Sequence, residues 1–139
     1  MNSGFRILEH PSDVGIEATG ASLKEAFENS ARGLLSLIIS TESVDPRQER
    51  FVELKSADLP NLLVKWLSEI LYLYDGEDFI VGEVEIERIS PKGLEAIVRG
   101  ESVDEARHPM NMDIKAVTYH QLKIREKRDG CLIRVFLDI

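Results

Sequence analysis

Leu59, Leu62, Leu63, Trp66, Leu67, Ile70, Leu71 and Tyr74 recur at i, i+3, i+4 and i+7 without a gap. A helix with so unbroken an apolar stripe cannot stand alone in water and must be covered by a second layer. Asp58 supplies an N-cap and Pro60 falls in the first turn, so this helix starts at Leu59. A leucine and aromatic stripe of this kind is core material, not a cofactor box. A second helix is expected after Ser22, whose spacing to Glu25 is that of a capping box. Its buried stripe is Leu23, Ala26, Phe27, Ala31, Leu34, Leu35 and Ile38, and Gly33 within it predicts close packing against a sheet.

The covering layer has to come from strands. Alternating segments are predicted at Phe5 to Glu9, from Gly15 through Thr19, and at Phe51 to Lys55, Phe79 to Ile89, Leu94 to Gly100 and Cys131 to Ile139. Ser90-Pro91-Lys92-Gly93 and Arg128-Asp129-Gly130 read as hairpin turns. In the fourth segment Val84, Ile86 and, continuing the alternation, Arg88 oppose Glu83, Glu85 and Glu87. Asp75-Gly76-Glu77-Asp78 is expected to be a solvated acidic turn, since it lacks the spacing of an EF-hand loop. Thr41 to Arg50 and Glu101 to Asp113 are expected to be connectors.

The stretch Ile114 to Ile124 is rich in β-branched and aromatic residues and predicts one continuous strand. Period-two alternation puts Ile114, Ala116, Thr118, His120, Leu122 and Ile124 toward the core, with Lys115, Val117, Tyr119, Gln121 and Lys123 outward. On that reading His120 and Thr118 are buried in a small hydrogen-bonded network. The fold class expected is α+β: a single domain over 1–139, with two helices packed on a mainly antiparallel or mixed sheet.

A length of 139 residues suits one domain. The net charge of −8 argues against direct binding to a phosphate backbone and suits a cation or a basic protein surface. No apolar run approaches the roughly 20 residues of a membrane-spanning helix, and none at the N-terminus has signal-peptide length. A single cysteine, Cys131, makes no internal disulfide, which predicts a cytoplasmic setting. With His10, His108 and His120 scattered, no zinc spacing is present.

Chemistry gathers at the two ends of the chain. His10-Pro11-Ser12-Asp13-Val14-Gly15 is ordinary turn chemistry or the rim of a site. Asp138 closes the last strand and is followed by Ile139, whose terminal carboxylate lies beside it. Two carboxylates so close repel unless a cation or basic group compensates them, whereas a lone Asp138 simply ends a strand in water. Asp13 as a third carboxylate and Lys115 as a basic neighbour would complete an oxygen-rich site suited to Ca²⁺ or Mg²⁺. No nucleophile–base pair and no phosphate-cradling glycine loop accompany them, which argues against a stand-alone enzyme.

His10 to Gly15, Ser22 to Phe27, Leu63 to Glu69, Lys115-Ala116-Val117-Thr118-Tyr119-His120 and the Asp138-Ile139 end together resemble the archease family over essentially the whole chain. Pro11 stands where that family usually has Thr or a similar residue. The resemblance implies a non-enzymatic activator of the GTP-dependent RNA ligase of tRNA splicing and RNA repair, one that promotes ligase guanylylation and multiple turnover. It implies metal ligands at Asp13, Asp138 and Ile139 (through its carboxylate) for a divalent cation, Ca²⁺, Mg²⁺ or Mn²⁺. It also implies an activating role for Lys115, alongside Asp13 and Asp138. The alternative it carries is a chaperone-like modulator of a tRNA cytosine-C5 methyltransferase.

Overall fold

The computed structural model describes residues 3–9 and 12–139. The elements run β1 (Gly4–Glu9), β2 (Asp13–Gly20), α1 (Leu23–Ile38), a 3-10 turn (Thr41–Ser43), β3 (Gln48–Lys55), α2 (Leu59–Glu77), β4 (Phe79–Ser90), β5 (Gly93–Ser102), β6 (Ala116–Val117), β7 (Lys123–Lys127) and β8 (Gly130–Asp138). His10 and Pro11 lie outside the described residues.

Both helices begin where their caps dictate. Ser22 Oγ accepts from the Glu25 amide at 3.2 Å, and the Glu25 carboxylate accepts from the Ala21 amide at 3.3 Å. Asp58 Oδ1 accepts from the Asn61 amide at 2.9 Å. Helix α2 runs past its apolar stripe, so the expected acidic turn at 75–78 is instead the last helical turn, ending at Glu77. Asp78 stops it by adopting the left-handed conformation, φ 52°, which aspartate tolerates better than most residues.

The strands form two sheets, antiparallel throughout. In the first the order is β1-β2-β8-β6, with β7 also pairing with β8; in the second it is β3-β5-β4. Helix α1 lies against β1, β2 and β8 of the first sheet and β4 of the second, so it joins the two sheets. The close approach expected at Gly33 is present: a Cβ there would lie 2.7 Å from Ile16 Cγ2. Helix α2 packs on α1, β3 and β4, and the buried indole of Trp66 donates to the Phe27 carbonyl at 3.0 Å. A register shift between Ile86 and Arg88 moves Arg88 from its expected face. It lies opposite Glu95, with which it forms an ion pair. No helix among the described residues is long and apolar enough to cross a membrane.

The segment Ile114 to Ile124 differs most from expectation. In place of one strand, Ala116 and Val117 form a two-residue strand, a turn follows, and pairing resumes with β7 at Lys123 and Ile124. Gln121 in the left-handed conformation, φ 51°, breaks the alternation. Ile114 is buried as expected, but Ala116 and His120 are exposed, so His120 is not a core histidine. The buried histidine is His108, in the connector.

Gly33→Leu sets two effects against each other. Leucine gains about 1 kcal/mol of helix propensity over glycine. Overpacking against Ile16 costs typically 1–3 kcal/mol, about 2 at the middle of that range. The net expectation is destabilisation by about 1 kcal/mol or more, measured by urea unfolding; an unchanged or higher midpoint would contradict the close packing.

Candidate functional site

Strand β8 is central in its sheet, with β2 on one side and β6 on the other. Val14, Ile16 and Ala18 face Leu137, Val135 and Ile133 in register, and all six are buried. The intervening pairs, Asp13 with Asp138, Gly15 with Phe136 and Glu17 with Arg134, therefore share the opposite face. Directly opposed residues of an antiparallel pair have Cβ atoms roughly 4.5–5.5 Å apart. The two ends of the chain thus meet, and the carboxyl groups of Asp13 and Asp138 leave the sheet as neighbours.

On the far side of β8, Ala116 opposes Asp138, and the Lys115 amide donates to the Asp138 carbonyl at 2.8 Å. Asp13, Asp138 and Lys115 therefore sit on three adjacent chain segments at one end of the sheet. Lys115 is exposed and forms no ion pair among the described residues. Ile139 follows β8 and is exposed.

The same face carries a packed aromatic floor. The buried Phe136 ring lies over Gly15, where a Cβ would come within 2.7 Å of its Cε1 and 3.1 Å of Leu8 Cβ. Only glycine leaves that space. Next along the row, Glu17 is held below the usual carboxylate range by hydrogen bonds from Arg6 and then Arg134.

Asp13 differs from these satisfied groups. Its Oδ1 is buried and has no hydrogen-bond partner among the described residues. A buried, unpartnered carboxylate oxygen is costly, and a bound cation is one of the few things that offsets the cost. Two opposed aspartates are an all-oxygen donor pair, a chemistry that suits a hard divalent cation. Among the described residues they belong to no group of three or more side-chain ligands.

Residues 5–139 match the model of the archease protein family. The chain belongs to the archease family. It is 37% identical to the protein archease of Methanosarcina mazei, covering 97% of this chain and 95% of the relative. The archease of Pyrobaculum neutrophilum is 34% identical with the same coverage. Among solved structures, the solution structure of Methanobacterium thermoautotrophicum protein 1598 is similar with a TM-score of 0.80 and 31% identity, over 98% of this chain and 99% of that one. The crystal structure of a Thermotoga maritima archease, described as a possible chaperone, shares the fold with a TM-score of 0.68 at 21% identity, over 96% of each chain.

The pairing of β6 with β8 depends on how residues 103–115 are led back to the sheet, and Glu101 anchors that path. Its buried carboxylate accepts from the Asp45 amide at 2.7 Å and from Arg107 at 2.7 Å, and also meets Arg47 at 3.2 Å and His108 Nε2 at 3.0 Å. His108 Nδ1 accepts from the Asp104 amide, so its proton resides on Nε2 and is donated to Glu101. Sequence reading placed Glu101 in a connector, because no periodicity marks a carboxylate whose partners come from two other segments, 45–47 and 107–108.

The Asp45 amide first, and then Arg107, hold the Glu101 carboxyl at about 2, down from 4.5. A depressed acid contributes stability that is complete above its unfolded value and lost as pH falls. Glu101→Gln should lower the unfolding midpoint at neutral pH, with the gap to wild type closing between pH 4.5 and about 2. Parallel pH-independent curves from thermal melts would refute the assignment.

Proposed function

We propose that the chain activates a GTP-dependent RNA ligase, promoting its guanylylation and multiple turnover through a divalent cation held at Asp13, Asp138 and the Ile139 carboxylate. The observation that carries this is the register pairing of Asp13 with Asp138, together with a buried Asp13 oxygen that has no hydrogen-bond partner among the described residues. The ligase as partner is what the resemblance to the archease family implies. When bound, a Ca²⁺, Mg²⁺ or Mn²⁺ ion supplies charge neutralisation and free coordination positions for phosphoryl oxygens.

The chain's own residues do the positioning. Asp13 and Asp138 are fixed by strand register, so their orientation needs no reorganisation on binding. Lys115 contributes a compact ammonium beside them, a point charge suited to an oxyanion. The net charge of −8 favours docking onto a basic, nucleotide-binding cleft over binding RNA directly. In this reading the chain is no enzyme itself, and it works in the cytoplasm with the ligase. The alternative is a chaperone-like modulator of a tRNA cytosine-C5 methyltransferase: the Thermotoga maritima archease is described as a possible chaperone, and the methyltransferase is what the family resemblance implies. Multiple-turnover RNA joining at substoichiometric chain separates the two, since a methyltransferase modulator leaves it unchanged.

Lys115→Ala should leave stability within about 1 kcal/mol, because the residue is exposed and unpaired, yet abolish stimulation of ligase guanylylation. Lys115→Arg should restore it only in part, the guanidinium presenting a planar fork in place of a point charge. Stimulation by Lys115→Ala equal to wild type would remove the lysine from the mechanism.

Extending the chain beyond Ile139 converts an anionic ligand into a neutral amide. The expected result is weaker cation binding in calorimetric titration, with an unchanged unfolding midpoint. Equal affinities for native and extended proteins would exclude the terminal carboxylate as a ligand.

A further inference from the structure

His120 is exposed, yet its placement is highly determined. The Thr118 amide and hydroxyl both donate to the Phe136 carbonyl, at 3.0 and 2.9 Å, and Thr118 Oγ1 accepts from the His120 amide at 3.2 Å. Gln121 then takes the left-handed conformation, which a glutamine adopts at a cost, and the Leu122 amide closes the turn on the Tyr119 carbonyl at 3.2 Å. The Tyr119 hydroxyl is tied to Asn61 Oδ1 at 2.6 Å, at the start of α2. The imidazole stands edge-on to Phe136, centroids 6.1 Å apart at 64°. A solvated surface histidine needs none of this.

The face on which it stands follows from register. The Phe136 ring lies over Gly15, which shares the face of Asp13 and Asp138. His120, packed on that ring, is on the carboxylate face two strand positions from Asp138. It belongs to no three-ligand metal group with the aspartates among the described residues. Its ring contact is with Phe136, two strand positions from Asp138. Lys115 enters β6 with its amide bonded to the Asp138 carbonyl and His120 leaves the turn beside Phe136, so one short segment ties both residues to the strand that carries Asp138.

We infer that His120 is a phosphate-contacting group of this face, donating a ring N–H to a phosphoryl oxygen of the anion that the carboxylate-bound cation receives. This rests on the cation reading given above and adds a residue and a ligand class to it. An imidazole and an ammonium beside a coordinated cation form a donor set for an oxyanion, while the aspartates satisfy the metal. The Thr118 clamp and the Phe136 floor make Thr118 a positioning residue for the ring.

The test uses two variants and two readouts. His120→Phe keeps an aromatic ring on Phe136 but removes the donor; His120→Gln keeps a donor. Mg²⁺ binding by the isolated chain should be retained within about twofold in both, because neither aspartate changes. Stimulation of ligase guanylylation should fall by about tenfold or more in His120→Phe, the scale of one lost transition-state hydrogen bond, and recover partly in His120→Gln. In parallel, the His120 ring signals of the wild-type chain are followed by NMR during titration with Mg²⁺ and inorganic pyrophosphate. They should shift saturably only when both are present, and not in Asp13→Asn. Stimulation by His120→Phe within twofold of wild type, or ring signals unmoved while Mg²⁺ binds, would overturn the inference. A wild-type chain that fails to stimulate the ligase rejects the proposed function, and the pyrophosphate titration then decides His120 separately.

Discussion

The antiparallel register between β2 and β8 is the constraint on which the rest of the structure depends. Val14, Ile16 and Ala18 bury against Leu137, Val135 and Ile133. A slip of one residue would turn that whole set to water, and the cost of exposing six core side chains forbids it. Because alternation is strict, the register that buries the core also places Asp13 against Asp138. The carboxylate face needs no stabilising interaction of its own to exist; it is held by apolar burial on the other side of the same strands. This explains how a site can keep a buried, unpartnered oxygen at Asp13 without losing its geometry.

A second layer of determination comes from segments without regular structure. Residues 103–115 bury few apolar groups, yet they must deliver Ile114 to the core and Lys115 to the side of β8. Glu101 organises this path by gathering donors from Asp45, Arg47, Arg107 and His108 around one carboxylate. Buried charge is tolerated there because nearly every lone pair is used. The Thr118–Phe136 clamp does the equivalent on the other flank of β6. Between them, two polar fastenings hold a two-residue strand that propensity alone would not maintain.

Charge is then distributed with a purpose that the fold does not require. The long outer rows satisfy their carboxylates with arginine, as Glu17 does with Arg6 and Arg134. At the end of the sheet no arginine reaches Asp13 or Asp138 among the described residues.

The sequence by itself determined both helices, their caps, the strand segments and the candidate pair Asp13 and Asp138, because periodicity and capping are local and survive in one dimension. Close approach at Gly33 was legible for the same reason: a missing side chain in a packed pattern marks a close contact. The tertiary structure decided what depends on partners far away in the chain. Ile114 to Ile124 has the composition of one strand, but the Tyr119–Asn61 bond and the Thr118 clamp fold it into a turn, carrying His120 out of the core. Arg88 changed face at a bulge whose closing hydrogen bond, from the Ile86 amide, goes to Glu28 on α1. Glu101 and His108 became a buried pair because their satisfying donors lie in other segments. Local propensity names what a segment prefers in isolation, and long-range hydrogen bonds and burial choose among preferences that differ by only a few kcal/mol.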